Sequence, residues 1–144
     1  MSTHYLHVFI SHSWSHSSHY HRLHEWLFGT PWTFGQARVR FADYSVPKDD
    51  PIHNASRVSD LEDAIFRKIA RAHVVIIPTG VYATYSKWIK REIRGSRSMS
   101  KPILAVNPQA QQRTSSIVAD AADETVGWTR NGVVAGIWRL YRQS

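Results

Sequence analysis

The sequence predicts an α/β protein in which helices cover both faces of a mostly parallel β-sheet. Short apolar runs with a strong β preference alternate along the chain with segments whose apolar residues recur every three or four positions. The run at residues 73–78 (HVVIIP) is apolar almost throughout, as is typical of a strand that is buried on both faces. Alternation of this kind indicates βαβ units, and βαβ units build parallel sheets.

Five segments are predicted to be strands, and polar residues or prolines follow them. The first, residues 5–10 (YLHVFI), runs into Ser11-His12-Ser13, and the second, residues 39–42, runs into Asp43-Tyr44. The polar stretch at residues 45–56, which holds two prolines, is expected to be a loop. The remaining strands are expected at residues 73–78, at residues 102–106 and, at one edge of the sheet, at residues 125–128.

Five helices are predicted between and after these strands. In the second, Leu61, Ile65 and Ile69 recur at helical spacing, and Ser59 or Asp60 can cap its N-terminus. The helices are expected at residues 18–28, from residue 59 or 60 onward, and at residues 84–97, 115–122 and 133–141.

The length and composition suit one domain. A chain of 144 residues can build one core but is too short for two. No apolar run approaches the roughly 20 residues that cross a bilayer, and the first residues lack the basic-then-apolar layout of a signal peptide. The absence of cysteine excludes disulfides and thiolate metal sites. We therefore expect a single domain over residues 1–144, located in the cytoplasm and without membrane contact.

The net charge of +7 raises the question of a nucleic-acid partner. The densest cationic group winds around a helix rather than forming one stripe; it comprises Lys87, Lys90, Arg91, Arg94 and Arg97. Such a group is usually a solvated helix surface, and it can also attract an anionic small molecule such as a dinucleotide. Nucleic acid is not expected, because the sequence reveals no surface that combines aromatic with basic residues.

Several common α/β functions are excluded by missing motifs. The glycine-rich fingerprints of dinucleotide-binding and P-loop proteins do not occur. A phosphate-receiver domain needs carboxylates after its first strand, where this chain has Ser11-His12-Ser13. Seven histidines lie between His4 and His24, but Glu25 is the only carboxylate beside them and no H-E-x-x-H pattern occurs. No metal site is expected.

Polar residues follow two of the predicted strands at the edge where such sheets bind ligands. In parallel α/β sheets this edge is formed by the carboxyl ends of the strands, at the point where the strand order reverses. Ser11, His12 and Ser13 follow the first strand, and Asp43 and Tyr44 follow the second. We therefore expect these five residues to line a substrate site.

A third group opens the helix after the strand at residues 73–78. It has the pattern Ser86-x-Trp88-x-x-x-Glu92. Residues four apart share one helix face, so Trp88 and Glu92 are expected to point an aromatic ring and a carboxylate at one cleft. Ser86 lies near the helix start, where a hydroxyl can cap a free backbone N–H. The spacing alone also fits a surface ion pair between Glu92 and a neighbouring basic residue, so it leaves both readings open.

Two of these segments, residues 8–13 (VFISHS) and 85–93 (YSKWIKREI), together with the Asp43-Tyr44 turn, resemble the TIR domain family. More narrowly, they are similar to the TIR-like proteins of bacterial Thoeris antiphage defence, and the resemblance covers nearly the whole chain in element order. It implies a flavodoxin-like three-layer sandwich around a parallel sheet of about five strands. In catalytic TIR domains, a glutamate in the position of Glu92 supports cleavage of the nicotinamide–ribose bond of NAD+.

That chemistry requires only one carboxylate. Nicotinamide leaves NAD+ as a neutral molecule, so no general acid has to protonate it. One preorganised carboxylate can stabilise the oxocarbenium-like transition state, whereas ordinary glycosidases use two carboxylates because their leaving oxygen must be protonated. The resemblance thus makes Glu92 the expected catalytic residue and NAD+ the substrate, with no separate cofactor.

The resemblance also implies partners. A Thoeris TIR-like enzyme is expected to make a cyclic or conjugated ADP-ribose signal, which diffuses to a separate effector protein, and to self-associate through the loop at residues 43–56. Two alternatives remain open from the sequence. One is a non-catalytic TIR scaffold that recruits partners through this loop, and the other is an enzyme similar to nucleoside deoxyribosyltransferases, which uses a glutamate nucleophile on nucleosides.

Overall fold

The structure, a computed structural model, describes residues 2–11, 18–29, 31–45, 58–79, 86–107 and 116–143. The strands of the described residues are β1 (Ser2–Ile10), β2 (Trp32–Phe34), β3 (Ala37–Asp43), β4 (Val74–Pro78), β5 (Ile103–Val106) and β6 (Glu124–Val126). The helices are α1 (Ser18–Phe28), α2 (Val58–Arg71), α3 (Ser86–Ser98), α4 (Ser116–Ala121) and α5 (Arg130–Gln143). None of these helices is long and apolar enough to cross a membrane.

The six strands form one sheet in the order β2-β3-β1-β4-β5-β6. Every neighbouring pair is parallel except β2 and β3, which are antiparallel. The five parallel strands therefore follow the 2-1-3-4-5 order of flavodoxin-like folds, which confirms the predicted fold class. The order reverses between β1 and β4, so the carboxyl ends of these two strands lie at the switch point.

The sequence analysis predicted about five strands and missed β2. Its three residues lie between Pro31 and Gly35, which suggest a loop when only local signals are considered. Gly35 has a φ of 59° in the turn that joins β2 to β3, a conformation that favours glycine. The hairpin thus adds an antiparallel strand to the outer edge of β3.

Alternate residues of β1 pack into two separate apolar layers. Leu6 and Ile10 face one layer, where they pack with Leu23 of α1 and Ile137 of α5. Phe9 faces the other, which contains residues from α2, α3 and α4. All four residues of β5 are buried, as are the first four of β4, so these two strands are covered on both faces as their apolar runs predict.

Two histidines link β1 to the start of β4. The backbone N–H of His7 donates to Nδ1 of His73 over 2.9 Å, and the backbone N–H of His73 donates to the carbonyl of His7 over 2.7 Å. An Nδ1 that accepts a hydrogen bond must be unprotonated. Burial lowers the pKa of His73, and the nearby His7 and Lys101 lower it further. Neutral His73 is therefore part of the link between the strands.

Acid is expected to weaken the fold through His73. Unfolded histidine takes up its proton near 6.5, and folded His73 does so at lower pH, so the folded state binds fewer protons and loses stability as the pH falls through and below 6.5. Replacing His73 by Asn keeps an acceptor but removes the titrating ring. The measurement is urea unfolding at pH 7.5 and pH 5.5, each about one unit from the ordinary histidine pKa. Between these two pH values, the free energy of unfolding should fall less in His73→Asn than in the wild type. An equal fall in both proteins would contradict this role.

Candidate active site

Polar residues stand at the carboxyl ends of the parallel strands. Ser11 follows β1 and is 1% exposed, and Thr79 follows β4 and is also 1% exposed. The backbone N–H of Ser11 donates to the carbonyl of Ile76 over 2.9 Å, which continues the β1–β4 pairing by one residue. Ser11 thus lies at the switch point, in the region that the sequence predicted for the ligand. His12 and Ser13, predicted beside it, lie outside the described residues.

A hydrogen-bond network holds the end of β3 against α1 and β1. Tyr20 of α1 donates its hydroxyl proton to Oδ2 of Asp43, and the backbone N–H of Ser45 donates to Oδ1 of the same carboxylate over 2.9 Å. The Ser45 hydroxyl oxygen then accepts the backbone N–H of Ile10 over 2.9 Å. Asp43, predicted as a substrate-binding residue, therefore has both oxygens bonded within the fold, where it fixes the strand end next to Ser11.

Burial and the bond to Asp43 raise the pKa of Tyr20 well above its ordinary value, burial having the larger effect. Tyr20 therefore keeps its proton at neutral pH and remains a donor to the carboxylate. The sequence analysis missed this role, because Tyr20 fits the helical repeat of apolar residues in α1 and nothing local marks it as the partner of a distant carboxylate.

Tyr44 turns to the opposite side of the sheet from Asp43. Its ring stacks on His7, with centroids 4.2 Å apart and planes at 29°, and the ammonium of Lys68 lies 5.8 Å from its centroid. Its backbone N–H donates to the carbonyl of Val8 over 2.9 Å. The two residues predicted together after the second strand thus face different layers, Asp43 toward α1 and Tyr44 toward α2.

Glu92 lies on the buried stripe of α3. Its exposed fraction is 0%, lower than the 5% of Ile89 and the 8% of Ile93. Ser96 completes the stripe and donates its hydroxyl proton to the backbone carbonyl of Glu92 over 2.7 Å. A surface ion pair is therefore the wrong reading of the sequence. At 1.5 Å per residue, Glu92 is about 9 Å along the helix from Ser86, the first residue of α3.

Trp88 has different surroundings from Glu92, although both are on α3. The Trp88 ring is half-buried and lies 4.7 Å from the guanidinium carbon of Arg91. Arg91 in turn pairs through Nε with Glu62 of α2 over 3.2 Å, and Arg94 pairs with the same carboxylate over 3.2 Å. Part of the cationic group on this helix thus pairs with α2, whereas the cleft predicted for Trp88 and Glu92 remains a prediction.

Thr79 and Asn107 form a polar pair at the ends of β4 and β5, and neither was among the individual residues predicted for the site. The Thr79 hydroxyl donates to Oδ1 of Asn107 and lies 3.4 Å from the carbonyl oxygen of Val106. The backbone N–H of Asn107 donates to the carbonyl of Val126 over 2.9 Å. The available signal was positional, because each residue follows directly after a buried parallel strand. With Ser11, they place hydroxyl and amide groups at the carboxyl edge of the sheet, where those of Thr79 and Asn107 are bonded to each other.

Loss of the Tyr20 hydroxyl is expected to loosen this edge. The change Tyr20→Phe should lower the free energy of unfolding by about 1–2 kcal/mol, because it removes one hydrogen bond to a carboxylate. Folded Tyr20 loses its proton at higher pH than an unfolded tyrosine, which titrates near 10.0, so its contribution falls as the pH rises above 10. The measurement is urea unfolding at pH 8 and pH 11, on either side of the ordinary tyrosine pKa of about 10. Between these two pH values, the free energy of unfolding should fall less in the variant than in the wild type. Identical unfolding curves for the two proteins would show that the Tyr20 hydroxyl does not stabilise this edge.

The model of one family, described as the TIR-like domain of the Thoeris protein ThsB, matches residues 9–113. This span runs from the end of β1 past β5, and it includes the Asp43 network and Glu92. No curated protein matches the chain. Because the family match covers more than half of the sequence, the chain belongs to the family of ThsB TIR-like domains.

Proposed function

We propose that this protein is a TIR-like enzyme of antiphage defence that cleaves the nicotinamide–ribose bond of NAD+, with Glu92 as the catalytic carboxylate. The observation that supports it is the complete burial of Glu92 on α3, within the part of the chain that the family match covers. A carboxylate that served only solubility or a surface ion pair would not be buried, because burying a charge is costly.

Burial strengthens what one carboxylate can do to NAD+. Electrostatic attraction grows as water is excluded, so a buried Glu92 stabilises the positive charge of an oxocarbenium-like transition state more strongly than an exposed one. Nicotinamide departs neutral and requires no acid. The bond breaks without oxidation or reduction, so NAD+ is consumed as a substrate and the proposal includes no separate cofactor.

The remaining candidates receive roles around the ribose and the phosphates. Ser11 lies at the carboxyl edge of the sheet, and we propose that it binds the ribose and phosphates. His12 and Ser13, which follow it in the chain, and Ser86, the first residue of α3, are proposed to take part. Trp88, stacked with Arg91, offers an aromatic surface for a base. Asp43 and Tyr44 are proposed to shape the site rather than to bond the substrate, because their side chains already contact Tyr20 and His7.

Access to Glu92 requires the packing around α3 to open. With an exposed fraction of 0%, its carboxylate touches substrate only in a second, more open arrangement. A trigger that binds the open arrangement more tightly shifts the population toward it. We expect low basal activity, and we propose that self-association through residues 43–56, of which 43–45 are described, favours the open arrangement.

The product is proposed to be a cyclic or conjugated ADP-ribose that diffuses to a separate effector protein. Cyclisation or conjugation requires that water be kept from the reactive ribose until another nucleophile reaches it. Membership in the family of Thoeris TIR-like domains supports this proposed product.

The test is NAD+ turnover by the full chain, at high protein concentration and in lysate of phage-infected cells, with products identified by mass spectrometry. Glu92→Gln keeps the size of the side chain and removes its charge, so nicotinamide release should fall at least about 100-fold. Glu25→Gln, which changes an exposed glutamate of α1, is the matched control and should keep wild-type turnover. Equal thermal melting of the variants shows that they fold.

Two results would replace the proposal. In the first, the folded protein leaves NAD+ intact in both settings. Cells that carry Glu92→Gln keep their defence against phage, and cells with changes in residues 43–56 lose it; the chain would then be a TIR scaffold. Transfer of a base between nucleosides, with NAD+ untouched, would instead make it a deoxyribosyltransferase-like enzyme.

A further inference from the structure

One face of the sheet is exposed at the amino-terminal halves of β1 and β3. In the parallel register of these strands, Thr3 lies beside Arg38 and Tyr5 beside Arg40. All four side chains are exposed, and Tyr5 is 64% exposed, although it is a large aromatic residue. Parallel sheets are usually covered on both faces, so this uncovered part calls for an explanation. We refer to these four residues as the Tyr5 face.

The charge of the Tyr5 face is positive. Arg38 and Arg40 are two residues apart on β3, which spaces them by about 6.6 Å on one face. β1 contains no carboxylate, and the only one in β3, Asp43, points to the other layer and is bonded to Tyr20. Such a surface favours an anionic partner.

The adjoining end of α2 is also positive. Lys68 lies over the Tyr44 ring, and the carbonyl of Arg71 lies 3.0 Å from Nδ1 of His7, the next residue of β1 on this side. Glu62, an acidic residue of the same helix, is engaged by Arg91. The last turn of α2, which holds Lys68 and Arg71, therefore lies on the same side of β1 as the Tyr5 face.

A groove beside the face provides room for a flat ring. It has a volume of about 220 Å³, and Tyr5 and Arg40 line it together with Phe28, Pro31 and Phe41. It lies at the edge of β3, beyond Val39, where the pairing with β2 ends. The groove therefore combines aromatic rings with a guanidinium group, which is the pairing of groups that receives a base and its phosphate.

We propose that the Tyr5 face binds single-stranded nucleic acid, with a base stacked on Tyr5 and backbone phosphates held by Arg38 and Arg40. A single strand is favoured over a duplex because only unpaired bases offer their faces for stacking, and stacking tolerates any base. Sequence reasoning missed this surface because Tyr5 and Arg40 are distant in the chain and adjacent only through the strand register. The face is separate from Glu92, which lies in the interior.

The test is fluorescence anisotropy of the full chain with labelled oligothymidylate and oligouridylate of about 12 nucleotides, within the site sizes usual for such proteins. Tyr5→Ala should weaken binding by about fivefold or more, the loss of one stacked base, and Tyr5→Phe should bind as the wild type does. Arg40→Ala should reduce the slope of log affinity against log salt by about 0.7 between roughly 50 and 200 mM salt. The DNA and RNA probes separate the two sources of a single strand.

Two control variants make the outcome specific. Arg22→Ala removes an exposed arginine of α1 that does not line the groove and should leave the affinity for both probes nearly unchanged. Glu92→Gln should also bind normally, so loss of NAD+ turnover and loss of nucleic-acid binding are distinguishable.

Three results would overturn the proposal. One is Tyr5→Ala binding as tightly as the wild type, and another is tighter binding of a duplex of the same length. The third is that polyglutamate displaces the oligonucleotide and binds Tyr5→Ala as tightly as the wild type, which would make an acidic protein the partner.

Discussion

The central position of β1 governs this structure. β1 pairs in parallel with β3 on one side and with β4 on the other, and the chain leaves it first toward β3 and later toward β4 and β5. The connections at its carboxyl end therefore diverge, which creates the crevice of a switch point. Hydrogen bonds fix both neighbours there, from Ser11 to Ile76 of β4 and from Ile10 to the Ser45 hydroxyl after β3. These bonds therefore determine the geometry of any ligand site at this end of the sheet.

The parts of the fold that the sequence predicts are those that local physical chemistry dictates. The strand at β4 follows from a continuous apolar run, and the start of α2 follows from a 3.6-residue repeat. Both were located to within a few residues. β2 was missed because its three residues stand between a proline and a glycine and gain their regular structure only by pairing with β3. Tertiary contact, rather than local preference, decides such short strands.

In the candidate site, too, local sequence predicted some features and only the fold revealed the others. The position of Glu92 was visible as a motif, but its burial was not, because i,i+4 spacing fits a surface and an interior equally well. The bond between Tyr20 and Asp43 joins α1 to β3 and has no local signature. Pairing of Tyr5 with Arg40 likewise depends on strand register, which a single sequence does not reveal. Residue types were predictable here, whereas their partners required the fold.

The two outer strands of the sheet carry a consequence for assembly. β2 and β6 have three residues each, and strands so short present few free N–H and C=O groups to another chain. The exposed stretch of β3 beyond β2 begins with the charged Arg40, which further opposes edge-to-edge pairing. The edges of the sheet, as far as the structure describes the chain, therefore do not favour extending the sheet from one molecule to the next. We expect a filament or dimer of this protein to be built from loops and helix surfaces, contacts that can separate again without breaking strand pairing.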